Sequence, residues 1–77
     1  MTPISRLQCR AARSLLDWRQ DELEAASNVA KKTIADFERG ARTPRPVNLE
    51  AIKGALETAG IEFIPENGGG AGVRLKK

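Results

Sequence analysis

The chain has 77 residues, of which 40% are hydrophobic, 30% charged and 4% aromatic, a composition that favours one small, mainly helical domain. One cysteine and no histidine exclude an internal disulfide, Cys/His zinc sites and histidine-dependent nucleophilic catalysis, so we expect no enzyme, no metal and no cofactor. The net charge of +3 is banded, because the sign is positive over 1–20, 31–46 and 67–77 and negative over 21–30 and 47–66.

A first helix is predicted over residues 3–17. Thr2 has the side chain of an N-cap, and Pro3 suits the first helical position because its missing N–H needs no partner there. Apolar residues then recur at helical spacing: Ile4, Leu7, Ala11 and Leu15. Cys9 and Trp18 are expected to fill the core.

Two short helices are predicted next, over 20–26 and 31–39. Asn28 lies between them, and asparagine tolerates the left-handed backbone that sharp turns between helices need. Gly40 is a natural residue to follow the end of the second of these helices.

The prolines within residues 41–46 predict an extended basic loop, since a proline disfavours helical backbone in the residue before it. Asn48 can cap a fourth helix over 49–59. Residues 61–77 contain two short segments with β-prone residues, separated by a glycine-rich stretch. The predicted fold is therefore all-α, with a four-helix domain over 1–60 and a short C-terminal β-hairpin or strand extension over 61–77.

A short helix, a turn and a second short helix around one core form the layout of a helix-turn-helix. Over about residues 5–59, the sequence resembles the DNA-binding domain of the phage repressor and Cro-type (XRE) family. The resemblance rests on the order and spacing of several pieces: Ala12 to Leu16, Trp18 to Leu23, Val29, Thr33-Ile34, Phe37 to Gly40, Arg42, Pro44 and Ala55 to Phe63.

The resemblance implies a four-helix repressor-type domain whose third helix enters the major groove of DNA. It places base-reading positions at Lys31, Lys32 and Asp36. A carboxylate on this face either accepts a hydrogen bond from cytosine N4 or orients Lys32 at (i, i+4), and both interpretations of Asp36 stay open. The residues expected at the DNA backbone are Arg19, Gln20, Thr33, Arg39, Arg42 and Arg45.

Arg13 and Glu38 match a pair that forms an internal ion pair in the family. Four positions depart from the family pattern. Arg19 and Ala30 replace the usual helix caps, Glu24 stands where a small alanine allows close helix packing, and Asn28 replaces the turn glycine. These departures leave open which residues of the third helix touch bases.

The favoured function is sequence-specific transcriptional regulation, by a repressor that binds double-stranded DNA as a homodimer, with the C-terminal segment as a dimerisation element. The alternative is an antitoxin-like or adaptor protein whose C-terminal segment binds a protein partner. We expect no small-molecule ligand. The sequence shows no apolar run long enough to span a membrane and no signal-peptide pattern, so we expect a cytoplasmic protein with no membrane partner.

Overall fold

The computed structural model describes residues 3–66 and 68–76. They form four α-helices followed by an antiparallel β-hairpin, which confirms the predicted fold class. The helices are α1 (Arg6–Leu16), α2 (Gln20–Ser27), α3 (Lys31–Glu38) and α4 (Pro46–Thr58), and the strands are β1 (Ile61–Ile64) and β2 (Gly72–Leu75). Within the described part of the chain, no helix has the length and apolar character needed to cross a membrane.

Helix α1 begins at Arg6, three residues later than predicted. Ser5 is its N-cap: the Ser5 Oγ accepts from the Gln8 N–H at 3.1 Å, and Gln8 Oε1 accepts from the Ser5 N–H at 2.8 Å. This reciprocal capping box satisfies two backbone donors, whereas Pro3 offers only a favourable φ. The cap expected at Thr2 lies outside the described residues.

The predicted start of α4 was wrong. The helix begins at Pro46, not at residue 49, and Arg45 precedes it in extended conformation with φ −60° and ψ 151°. Proline suits the first turn of a helix because its missing N–H is one of the unpaired donors there. The restriction on the residue before proline therefore applies to Arg45, while Pro46 itself starts the helix and Asn48 lies inside it. The basic loop is correspondingly shorter.

One hydrophobic core joins all six elements. Its buried side chains come from every helix, from β1 and from the segments that precede α1 and α3: Ile4, Cys9, Ala12, Leu23, Val29, Ile34, Phe37, Leu49, Ile52, Leu56 and Ile61. Trp18 packs partly buried against this core, and so do Phe63 and Val73 of the hairpin. Burying even one large aliphatic side chain contributes about 1.5–3 kcal/mol. Fully buried Ile61 therefore makes β1 part of the folded domain.

Gln8 connects the start of α1 to the hairpin. Its side-chain Nε2 donates to the carbonyl oxygen of Gly72 at 3.0 Å and lies 3.5 Å from that of Ile64. The residue is buried, so these carbonyl groups have little water to replace the amide. Gln8 thus serves the helix cap and the hairpin at once, a role that the sequence analysis did not assign.

Replacing Gln8 is expected to destabilise the domain more than replacing Ser5. Ser5→Ala removes the side-chain cap and should lower the free energy of unfolding by about 1 kcal/mol. Gln8→Ala also leaves the Gly72 carbonyl unpaired, so the loss should be about 2 kcal/mol. Urea unfolding followed by circular dichroism measures both values. Equal losses for the two variants would contradict the link to the hairpin.

Candidate nucleic-acid interface

The carboxylate of Glu38, at the end of α3, is held by α1. Arg13 Nη2 lies 2.7 Å from Glu38 Oε1, and Arg13 Nε lies 2.7 Å from Glu38 Oε2, so the contact is bidentate. The Glu38 side chain is only 4% exposed, and a buried charge needs such a partner. The expected ion pair between the first and third helices is therefore present.

Two further side chains donate to the same carboxylate. Gln20, at the start of α2, donates from Nε2 to Oε1 at 3.1 Å, and the Cys9 thiol lies 3.1 Å from Oε2. Burial opposes the charged form, but the hydrogen bonds from Arg13, Gln20 and Cys9 hold the pKa of Glu38 below its ordinary value. Burial, together with this contact, raises the pKa of the Cys9 thiol. Cys9 is thus a core residue that donates to Glu38.

Gln20 was expected at the DNA backbone, and the structure also gives it an internal role. An amide nitrogen carries two N–H groups, of which the contact to Glu38 uses one. Gln20 is also the first residue of α2, where backbone N–H groups and the helix dipole favour an anion. The position remains suited to a phosphate.

A shallow cleft of about 390 Å³ opens beside this ion pair, between α1, α2 and α3. Its lining is mainly cationic and polar: Arg10, Arg13, Gln20, Ala35, Glu38 and Arg39. Arg10 and Arg39 are exposed. The sequence analysis did not single out Arg10, although its position one helical turn before Arg13 indicates the same side of α1.

Both lysines at the start of α3 are exposed, and each has a carboxylate nearby. Lys31 Nζ lies 2.8 Å from Asp21 Oδ1 of α2. Lys32 Nζ lies 3.5 Å from Asp36 Oδ2, one turn further along α3. Lys32 is the more exposed, since its side chain is 83% accessible against 54% for Lys31. Lys32 therefore projects further into solvent.

Asp36 contacts Arg39 more closely than Lys32. Arg39 Nη2 lies 2.9 Å from Asp36 Oδ1, and this hydrogen bond holds the pKa of Asp36 below its ordinary value. The Asp36 side chain is 11% exposed. The contact with Lys32 is the (i, i+4) pair of one of the two interpretations of Asp36, and the role of Asp36 toward DNA stays a prediction.

The N-termini of α2 and α3 lack the usual side-chain caps. Arg19 has no acceptor to offer, but Glu22 Oε1 accepts from the Arg19 N–H at 2.6 Å. Ala30 precedes α3, where Glu24 Oε2 accepts from the Lys31 N–H at 3.1 Å. Two acidic side chains of α2 thus accept from backbone N–H groups at these helix starts.

The turn between α2 and α3 centres on Asn28, whose φ of 64° places it in the left-handed region. Asparagine adopts this conformation more readily than most residues other than glycine. The left-handed turn predicted at Asn28 is therefore present. The remaining residues expected at the DNA backbone lie before α2, on α3 or after it. Thr33 is half-buried, while Arg19, Arg42 and Arg45 are exposed.

The chain matches a known protein family. The sequence model of a family described as helix-turn-helix matches residues 10–62. The match runs from α1 into β1 and leaves β2 outside. No curated protein matches the chain.

Removing Arg13 is expected to destabilise the domain in a pH-dependent way. At pH 7, Arg13→Ala leaves Glu38 buried and charged, so the free energy of unfolding should fall by about 3 kcal/mol. In the wild type the pKa of Glu38 is lowered in the folded state, so its stabilising effect is complete above 4.5, the ordinary value, and is lost as the pH falls through the folded pKa. In the variant, Glu38 lacks its Arg13 partner, so burial raises the pKa of Glu38 and favours its protonated form.

The stability gap between wild type and Arg13→Ala should therefore narrow as the pH falls, first through the raised pKa of Glu38 in the variant and then, below 4.5, through the loss of the stabilising charge in the wild type. Urea unfolding at several pH values measures this gap. A range from about 3 to 7 is suitable, because carboxyl groups ordinarily have pKa values of roughly 4. Arg13→Lys is a matched control, because it keeps the charge and loses the bidentate geometry. An unchanged midpoint for Arg13→Ala at neutral pH would contradict the structural importance of the pair.

Proposed function

The chain belongs to the helix-turn-helix family of repressor and Cro-type DNA-binding regulators, and we propose that it recognises a specific operator as a homodimer and represses transcription there. The observation that carries this proposal is the arrangement around α3. Its first turn presents two exposed lysines, while Glu38 at its last turn is held by α1 and α2. A fixed helix with an exposed cationic N-terminus suits the major groove.

Sequence is read, in this proposal, from the N-terminal half of α3. Lys31 and Lys32 can donate to O6 and N7 of guanine, and a well-formed contact of this kind discriminates by about 1–3 kcal/mol. Asp36 is the third member of the reading face. Its contacts with Lys32 and Arg39 support an orienting role, and these two cations offset its negative charge.

The DNA backbone is contacted by cationic and polar side chains around this face, which set affinity and register but carry no sequence information. They are Arg19, Gln20, Thr33, Arg39, Arg42 and Arg45. The cleft between α1, α2 and α3 fits a phosphate, because Arg10 and Arg39 line it together with Gln20. We therefore add Arg10 to the residues proposed at the backbone.

The homodimer is supported by apolar side chains left exposed on α1 and β2, two elements that pack against each other. Leu7, Leu15 and Leu75 are all exposed. Two copies paired through this surface would present two α3 helices to half-sites about 34 Å apart, one turn of DNA. The same leucines also favour the alternative function, an antitoxin-like protein that binds a different partner with its C-terminal segment.

Point substitutions test the dimer better than truncation, because deleting residues 61–77 removes Ile61 from the core. Sedimentation equilibrium should show a dimer for the wild type and a monomer for Leu75→Arg, since a charge in an apolar interface is strongly unfavourable. Val47→Arg, at an exposed position on α4, is the matched control and should stay dimeric. A monomeric wild type would contradict the homodimer and favour the protein-partner alternative.

Selection of bound duplexes from a random pool tests DNA recognition. The wild type should enrich a defined sequence, and Lys32→Ala should lose preference at one base position, by a factor of about 10. Arg42→Ala should instead weaken binding to all sequences alike and reduce the salt dependence by about one unit of slope. If the wild type enriches no sequence above the pool, the protein is not a sequence-specific regulator.

A further inference from the structure

The first residue of α3 is held twice by acidic side chains of α2. Asp21 Oδ1 lies 2.8 Å from Lys31 Nζ, and Glu24 Oε2 accepts from the Lys31 N–H at 3.1 Å. The hydrogen bond from Lys31 lowers the pKa of Asp21. One acidic residue therefore fixes the backbone of Lys31, and the other holds its ammonium group.

Lys32 is held much less firmly. Its Nζ lies 3.5 Å from Asp36, and that carboxylate makes its closer contact with Arg39. While the Lys31 ammonium contacts Asp21 of α2, it cannot also donate to a base, because it is a compact charge at the end of one flexible side chain. The two neighbouring lysines are thus unequally available to DNA.

We propose that Asp21 is a positioning residue that restrains Lys31, limits the part Lys31 takes in base reading and leaves Lys32 as the main base reader of α3. This inference rests on the proposed DNA-binding function. A contact between Lys31 and a guanine requires the ammonium to leave Asp21, so the attraction between these two charges is then lost. The sequence preference of α3 is consequently set in part by a residue of α2.

Glu24 makes this inference testable by substitution. Because Glu24 holds the backbone N–H of Lys31, replacing Asp21 releases the ammonium without removing the contact at the start of α3. The pair between Asp21 and Lys31 is exposed at both ends, and exposed pairs are weak. The expected change in base preference is therefore two- to five-fold, which corresponds to about 0.4–1 kcal/mol at 1.4 kcal/mol per tenfold.

The experiment compares four proteins by duplex selection and by competition binding on the enriched site and its single-base variants: wild type, Asp21→Asn, Lys31→Ala and the double variant. Asp21→Asn should gain two- to five-fold preference at one base position. The gain should vanish in the double variant, because Lys31 is the group released. Thermal unfolding confirms that each variant is folded.

Glu22→Gln is the matched control. Glu22 lies in the same turn of α2, and its carboxylate accepts from the Arg19 N–H, a contact that glutamine can keep. Removing this charge should strengthen binding to all sequences alike, without a new base preference. If Asp21→Asn has the same uniform effect, or if its gain persists in the double variant, Asp21 does not act through Lys31 and the inference is overturned.

A different result would show that the proposed function itself is wrong. In that case the wild type enriches no sequence, and both base reading by α3 and the influence of Asp21 on it are overturned. A wild type that prefers one sequence, combined with uniform effects of Asp21→Asn, overturns this inference alone.

Discussion

The arrangement of α1, α2 and α3 depends on the contacts of the buried Glu38 carboxylate. A charge that is 4% exposed is tolerated only with strong partners, and its three side-chain partners come from α1 and α2. Arg6 also donates to the backbone carbonyl of Glu38 at 3.2 Å. Because the same carboxylate contacts α1 and α2, it fixes the end of α3 relative to both, with directional bonds that apolar packing alone does not provide.

The other end of α3 is fixed by charge from α2. A serine or threonine before a helix is the usual cap, but the chain has Ala30 there and uses Glu24 of the neighbouring helix as the acceptor. Glu24 departs from the family pattern at a packing position, and it compensates for the missing cap of α3 by accepting a hydrogen bond from Lys31, seven residues later. An acidic side chain also stabilises the start of α2, since Glu22 accepts a hydrogen bond from the N–H of Arg19. Two departures from the family pattern are thus connected, because Glu24 supplies the acceptor that Ala30 lacks.

Local patterns were enough to predict four helices and the left-handed turn at Asn28, whereas the pair between Arg13 and Glu38 was predicted from the family resemblance. The start of α4 could not be fixed in the same way, because Pro46 fits a loop and a first helical turn equally well until its neighbours are placed. Side-chain contacts between elements were also beyond reach. Neither helical spacing nor charge places Gln8 at the hairpin or Asp21 at Lys31, since those contacts depend on the packing of helices and strands.

Helix α1 links the two surfaces that the proposed function requires. Gln8 ties it to the hairpin, and Arg13, five residues later, ties it to the last turn of α3. The exposed Leu7 and Leu15 lie on this same helix, which also carries Arg10 and Arg13 of the cleft beside Glu38. Because an α-helix transmits position with little bending over so few residues, a partner seated on Leu7, Leu15 and Leu75 is held at a fixed distance and angle from α3. A homodimer through that surface therefore fixes the spacing of its two α3 helices without any further domain.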